Sequence, residues 1–357
     1  MVTTGTSTTS EMVYVYKKDD KITFAKSKLV KRFPNGNCIG AFGGVCQGKV
    51  IAGFEKDVYE YNCEEDEWRQ VQKDVKHDRT CAKSCSIGEM LLVVGPELGN
   101  RSEIIRFVKD DPHKKIHPSP TKSKRPETNP DPTNDLGKKD IVNDATISTK
   151  ESKICHAKEF LRPQQLCETP LPLKVKSCSL TNLGNGQVML IECNKACLIG
   201  RLSSVVKDLK GGLEDEDVVW CNHCLIDIVT IDPYVFRVSS MKSRYEYIIF
   251  KMQRSVYVTG GFDGNEHPLV SCVYFDLALN AWYTFKYSLP FPLCNASVVV
   301  SADERFAIIT GGKVDPDDSE EDSINSIILF TEDEGFRILQ NSSLINKRSS
   351  HVSIIIP

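Results

Sequence analysis

The chain lacks the features that announce most functional classes. No apolar run approaches the roughly eighteen residues of a membrane-spanning helix, which argues against a helical membrane protein. Lysine and arginine number 45 against 48 aspartates and glutamates, leaving a net charge of −3. Without a basic excess or stripe, neither nucleic acid nor a membrane surface is an expected partner. Met1 to Ser10 are rich in threonine and serine and hold neither a basic cluster nor an apolar stretch, so no secretion signal is read there. There is no Gly-x-Ser-x-Gly elbow, no paired-histidine helix motif and no dinucleotide fingerprint. The glycine pairs that do occur are followed by neither a helix start nor Gly-Lys-Ser/Thr, so they are not phosphate loops. The seven histidines, His77, His113, His117, His156, His223, His267 and His351, are scattered. A non-enzyme without a cofactor is the expectation.

What is present is a cysteine-rich, strand-forming sequence. Fourteen cysteines in 357 residues would suggest a disulfide framework in a short secreted domain, but this chain is large and shows no export signal. Several of them, Cys38, Cys178, Cys272 and Cys294, lie in apolar runs, where a reduced thiol behaves as a small hydrophobe. Reduced cysteines and a cytoplasmic location follow as expectations, and the Asn-x-Ser triplets at Asn100, Asn295 and Asn341 would then carry no glycan. A hydrophobic content of 40% and a charged content of 26% suit a globular protein with an ample core.

A repeat runs through the chain at about fifty residues. Its best copy is Val256-Tyr257-Val258-Thr259-Gly260-Gly261, then Phe275-Asp276, then Trp282. Worn copies are Ala307 to Thr310 with Gly311-Gly312, Leu91 to Val94 with Gly95, and Val50 to Ala52 with Gly53. Tyr61 and Trp68 stand at the same spacing as Phe275 and Trp282, while Phe336 replaces the tryptophan after Phe330. Short β-branched and aromatic runs, each bounded by turn residues, predict one four-stranded blade per repeat. A fourth unit is degraded, with Glu192-Cys193 where the glycine pair belongs. Met12 to Tyr16 and Ile22 to Phe24 resemble a third and fourth strand, and His351 to Ile356 a first strand. One blade built from both ends would close the ring and remove its sheet edges, although its second strand is missing from this assignment.

Strand, Gly-Gly, loop, Tyr/Phe-Asp, turn and Trp, with Arg-Ser or a similar pair at blade starts, resembles the Kelch repeat family over about residues 12–107 and 160–357. The fold expectation is thus an all-β, Kelch-type β-propeller of six four-stranded blades, closed by N- and C-terminal strands sharing one blade. It would follow a disordered stretch at 1–11 and run over 12–357. A seventh blade is the alternative count. The resemblance implies a protein-interaction module, with substrate recruitment to a ubiquitin ligase or association with actin as its usual settings. A propeller starting by residue 12 leaves no room for a BTB or BACK region. Galactose-oxidase-like copper enzymes share this fold type but need a tyrosine and histidine copper set. Sialidases share it too, but their Ser-x-Asp-x-Gly-x-Thr-Trp boxes are absent. A degenerate structural propeller subunit is the remaining alternative.

Between Lys109 and Lys153 large hydrophobes almost vanish and six prolines fall from Pro112 to Pro132, which predicts a disordered insert after the third strand of a blade. It holds Ser119-Pro120, a proline-directed phosphorylation pattern, and the basic Lys122-Ser123-Lys124-Arg125. In an up-and-down blade, the loop after the second strand and the link into the next blade share one face, and loops on a rigid scaffold carry recognition. The candidate contact residues there are Arg79, Arg101, Arg244, Asp263, His267, Asp317, Asp318 and Arg348, arginine being a favoured interface anchor. Structural arginines satisfying backbone carbonyls are the alternative. The acidic run 315–322 suits either solvent or a basic peptide. Gly53, Gly95, Gly260, Gly261, Gly311 and Gly312 are expected to be structural, and Trp68 and Trp282 to pack between blades. Cys193, Cys197, Cys221 and Cys224, with His223, could supply four zinc ligands or be plain buried thiols.

Overall fold

A computed structural model describes residues 2–4, 10–13, 15–18, 21–24, 28–34, 40–72, 78–88, 90–95, 98, 101–109, 161–170, 178–184, 187–192, 196–202, 218–224, 244–279, 281–315 and 323–355. All regular structure among them is β, apart from one 3₁₀ position at Leu98. Contacts separate a unit of Met1–Val108 with Leu161–Pro357 from a second, Lys109–Phe160. The expected insert at 109–153 falls, beyond Lys109 itself, outside the described residues. It connects Arg101–Lys109 to Leu161–Pro170, the third and fourth strands of one sheet.

The strands form a β-propeller arrangement. Four sheets are meanders of four consecutive strands. They are Phe42–Cys46 to Glu67–Gln72, Lys83–Ile87 to Leu161–Pro170, Cys178–Gly184 to Val218–Cys224, and Ser297–Val300 to Gly335–Ser343. Two further four-stranded sheets depart from that pattern. In Ile248–Met252, Ser255–Thr259, Cys272–Asp276 and Ala281–Thr284, the chain between the second and third strands pairs Phe262–Asp263 back onto Arg244–Tyr245. The last departs most, joining Val352–Ile354 to Val2–Thr4, Ser10–Met12 and Lys28–Val30. The expectation of six four-stranded blades is therefore corrected to four simple meanders. A ribbon interrupts one remaining sheet, and both chain ends build the other.

Of the stretch 1–11 expected to be disordered, residues 2–4 and 10–11 lie in strands of the shared sheet. Val2–Thr4 is the second strand that the sequence assignment lacked, paired to Ile354, Ser353 and Val352 on one side and to Ser10–Met12 on the other. Three β-branched residues, Val2, Thr3 and Thr4, suit a strand once neighbours exist on both sides. Val15–Lys18 and Lys21–Phe24, expected in the shared sheet, form a separate hairpin.

First strands of successive sheets pack in a cycle. Phe42–Cys46 meets Lys83–Ile87, which meets Cys178–Gly184, then Ile248–Met252, Ser297–Val300 and Val352–Ile354, which returns to Phe42–Cys46. The second strands Met90–Val94 and Ala307–Thr310 are apolar toward both neighbouring sheets because both their faces are covered. In Met90–Val94 the two-residue period sends Leu91 and Val93 into the cluster with Phe42, Ile51 and Phe107, and Met90, Leu92 and Val94 into the cluster with Leu180 and Leu190. In Ala307–Thr310, Ala307 and Ile309 face Phe250 and Tyr257, while Ile308 faces Val13 and Leu344. The two seven-residue aromatic spacings, and the six-residue one from Phe330 to Phe336, become cross-strand pairs. Tyr61 lies opposite Trp68, Phe275 opposite Trp282 and Phe330 opposite Phe336, with ring centroids 4.9, 5.3 and 4.7 Å apart. Trp282 is buried against Leu183, Met189 and Ile191 of the preceding sheet, and Trp68 lies against Phe33 and donates Nε1–H to Lys31 O at 3.0 Å. Both sit between sheets, as their repeat position implied.

Candidate binding face and axial cavity

Each blade-start arginine lies at the joint between two sheets, and its side chain turns inward. Arg79, Arg244 and Arg348 are 0%, 3% and 1% exposed, which corrects their assignment as surface contacts. A guanidinium removed from water needs acceptors for its donors, and each arginine finds them around the third strand of its own sheet. Arg79 makes a two-pronged pair with Glu103, Nε to Oε2 at 2.5 Å and Nη2 to Oε1 at 2.9 Å, and lies over the Phe42 ring of the preceding sheet. Arg348 pairs with Glu11, fully buried on both sides. Arg244 donates to Ser271 O and Oγ, each at 3.1 Å, and to Gly260 O at 3.4 Å. Burial draws the Arg348 guanidinium below its ordinary value, and Glu11 opposes that pull.

Lysine in place of Arg79 would present one ammonium where two parallel bonds now run. Arg79→Lys is expected to lose about 1.5–3 kcal/mol of stability, the worth of a charge-assisted hydrogen bond, read from the urea midpoint. A change below about 0.5 kcal/mol would show that the fork geometry carries no weight.

The glycine pairs complete the joints. Gly261 N donates to Leu293 O at 2.9 Å and Gly312 N to Arg348 O at 2.8 Å, each fastening a second-strand exit to the lead-in of the next sheet. Leu293 holds the position that arginine takes elsewhere. Two residues on from Arg79, Arg244, Leu293 and Arg348, the chain passes through positive φ at Cys81 (58°), Glu246 (55°), Asn295 (50°) and Ser350 (45°). Three backbone bonds link these turns around the axis: Asn295 N to Glu246 O, Ser350 N to Asn295 O and Gly40 N to Ser350 O, at 3.2, 2.8 and 2.9 Å. Gly53 and Gly95 play smaller parts. Gly53 lies inside a strand opposite Phe42, whose ring occupies the space beside it, and Gly95 abuts Ala82.

Of the residues expected on the loop face, Asp263 and His267 are presented to solvent together. Asp263 Oδ1 accepts Asn265 N and His267 N at 2.8 and 3.0 Å, and Asp263 N donates to His267 O. Those N–H donors hold the Asp263 carboxyl below the usual carboxylate range. The result is a stiff turn with the His267 side chain 74% exposed. Arg101 opens the third strand of its sheet opposite the end of Met90–Val94, while Asp317 and Asp318 lie outside the described residues.

An axial cavity of about 250 Å³ lies among the first strands, lined by residues of every four-stranded sheet, including Lys83, Ser84, Asn182, Ser297, His351 and Ser353. Much of its polar wall stitches neighbouring sheets. Ser84 Oγ accepts Gly43 N and donates to Gly43 O, Asn182 Nδ2 donates to Ser86 O, and Ser353 N donates to Ser297 Oγ. His351, 7% exposed, sets Nε2 against Thr310 Oγ1 at 3.1 Å, and Thr310 Oγ1 also meets Ser353 Oγ at 2.9 Å. Burial pushes the imidazole well below its ordinary pKa, so it is neutral.

The candidate zinc ligands are placed only by backbone register, which sets Cys197 opposite Cys224 and Cys221 opposite Ile199; Cys193 lies outside the described residues. Among the described residues no group of three or more His, Cys, Asp or Glu is gathered to hold a metal ion. Cys46, Cys63, Cys81, Cys85, Cys178, Cys272 and Cys294 are free, and burial pushes the Cys46, Cys272 and Cys294 thiols up to about 12, leaving them protonated and apolar in character. No protein-family model matches the chain, and no curated protein matches it.

Proposed function

We propose that this chain is a Kelch-type propeller acting as a non-catalytic protein-interaction module, with the loop face around the axis as its docking surface. The observation that carries this reading is the joint just described. Buried arginines and paired glycines hold short loops rigidly, so a turn such as 263–267 is displayed with little conformational entropy left to lose on binding. The arginines then act as positioning residues behind the surface, and Asp263 and His267 are the contact candidates. A protein or peptide is the partner class, and the acidic run 315–322 suits a basic segment within it.

Affinity capture from lysate with the wild type and with an Asp263→Ala, His267→Ala double variant tests this assignment. The variant is expected to lose a reproducible subset of captured proteins while melting at the same temperature. Identical capture by both would remove this face from the reading.

A further inference from the structure

Among the residues whose side chains are described none gather to hold a metal, but the backbone ladder of one sheet brings three cysteines together. Ala196–Leu202 and Val218–Cys224 are the third and fourth strands of the sheet that begins at Cys178. Their register sets Cys197 opposite Cys224 and Ile199 opposite Cys221, with a bulge between the two pairs. Residues directly opposite in an antiparallel ladder share a face, and so do residues two apart on one strand. Cys197 and Ile199 therefore share a face, and Cys224 and Cys221 join it. The bulge makes this possible, because Asn222 and His223 together stand against Leu198. In a regular strand Cys221 and Cys224, three apart, would fall on opposite faces. The same register puts His223 on the other face. Elsewhere cysteines meet other residue types across the ladder: Cys46 meets Lys49, Cys85 Leu92, Cys178 Glu192 and Cys272 Thr259.

We infer that Cys197, Cys221 and Cys224 form a zinc site, three thiolates from one face of the sheet, without His223. Cysteines directly opposite have Cα atoms about 4.5–5.5 Å apart, and the diagonal from Cys197 to Cys221 is about 7–8 Å. Bonds of about 2.3 Å to one zinc hold its sulfurs within about 4 Å of one another, and those backbone separations permit that convergence. Cys221-x2-Cys224 is a ligand spacing that zinc sites commonly use. Thiolate donors favour zinc over the hard cations magnesium and calcium. Loading exchanges the three S–H bonds for Zn–S bonds and releases the protons to solvent, leaving the fourth position of the tetrahedron to water or an added thiolate. Glu192 ends the second strand of this sheet where Gly260-Gly261 and Gly311-Gly312 make joints in others, and a metal across its outer strands supplies a constraint of another kind. The inference does not depend on the loop-face reading, because metal binding is measured without a protein partner.

Elemental analysis of the full chain, purified under reducing conditions without chelator, tests it, together with cobalt(II) titration of the chain after chelator treatment. About one zinc per chain is expected, and cobalt should give a thiolate charge-transfer band and the visible bands of tetrahedral coordination. Cys197→Ser, Cys221→Ser and Cys224→Ser are each expected to weaken zinc binding about a hundredfold or more, beyond the cost of losing an outer-shell partner. His223→Ala should bind within about twofold of the wild type, and so should Cys63→Ser, a change at an exposed cysteine elsewhere. If a serine variant fails to fold, the wild-type cobalt spectrum and His223→Ala still decide. Uptake of neither metal, a loss in His223→Ala as large as in the cysteine variants, or cobalt bands that survive all three cysteine substitutions overturns the inference.

Discussion

Glu11→Ala is expected to lower the unfolding free energy by about 3–5 kcal/mol, the cost of leaving a buried charge without its partner. The Glu11 carboxylate accepts Ile345 N at 2.7 Å, Asn346 N at 2.9 Å and the Arg348 guanidinium, so one side chain secures the lead-in to the sheet that both chain ends build. Alanine would leave two backbone donors and a buried cation with nothing to replace the carboxylate. The measurement is the urea midpoint, accompanied by amide exchange at Val352–Ile354, which should speed up if this sheet opens before the others. Glu11→Gln keeps the volume and one acceptor and should lose less. A double change, Glu11→Leu with Arg348→Met, should lose less than the sum of the two single changes, because no lone charge remains. A loss under about 1 kcal/mol for Glu11→Ala would mean that water reaches Arg348 and that the sheet is held elsewhere.

The second large effect is at Gly260. Its φ is +69°, and an added Cβ would overlap the Leu293 carbonyl, the acceptor of the neighbouring Gly261 N–H. Strain at a left-handed position and overpacking each cost about 1–3 kcal/mol, so Gly260→Ala is expected to lose about 2–5 kcal/mol. Gly88→Ala separates the two costs, since Gly88 also has positive φ, +58°, but nothing lies within 4 Å of an added Cβ. It should lose only about 1 kcal/mol. Equal losses at the two positions, measured by thermal melting, would show that backbone strain alone matters and that the joint tolerates a methyl group.

Much of this architecture could be read in the residues, for physical reasons. Second strands such as Ala307–Thr310 are apolar on both faces because sheets cover both, and that leaves a continuous signal. Gly-Gly and the seven-residue aromatic spacing survive because close backbone approach and ring pairing tolerate few alternatives. Short or polar elements left weaker traces. Val2–Thr4 has three residues and no pattern of its own, and it becomes a strand only through neighbours on either side. The Leu293 joint is hidden because its bond is made by a backbone carbonyl, which leaves no mark on the residue type.

At the blade starts the arginines point inward, opposite to what their sequence setting suggests. Arginine before a strand suggests a surface anchor until its partner is known, and Glu103 and Glu11 lie 24 and 337 residues away. One local clue was available. Glu103 directly precedes Ile104-Ile105 in its strand, and an acidic residue leading an apolar run implies a buried counter-charge. His351 carried no clue, because its setting comes from Thr310 and Ser353 rather than from adjacent sequence.

The buried bond between Glu11 and Arg348 also sets an order of events during synthesis. Glu11 leaves the ribosome 337 residues before the arginine that will neutralise it. Through that interval Val2–Thr4, Ser10–Met12 and Lys28–Val30 have one another to pair with, but the edge that will take Val352–Ile354 stays open to other chains. Closing so long a span is entropically slow, so nascent molecules of this protein should depend on chaperone protection until the last strand emerges.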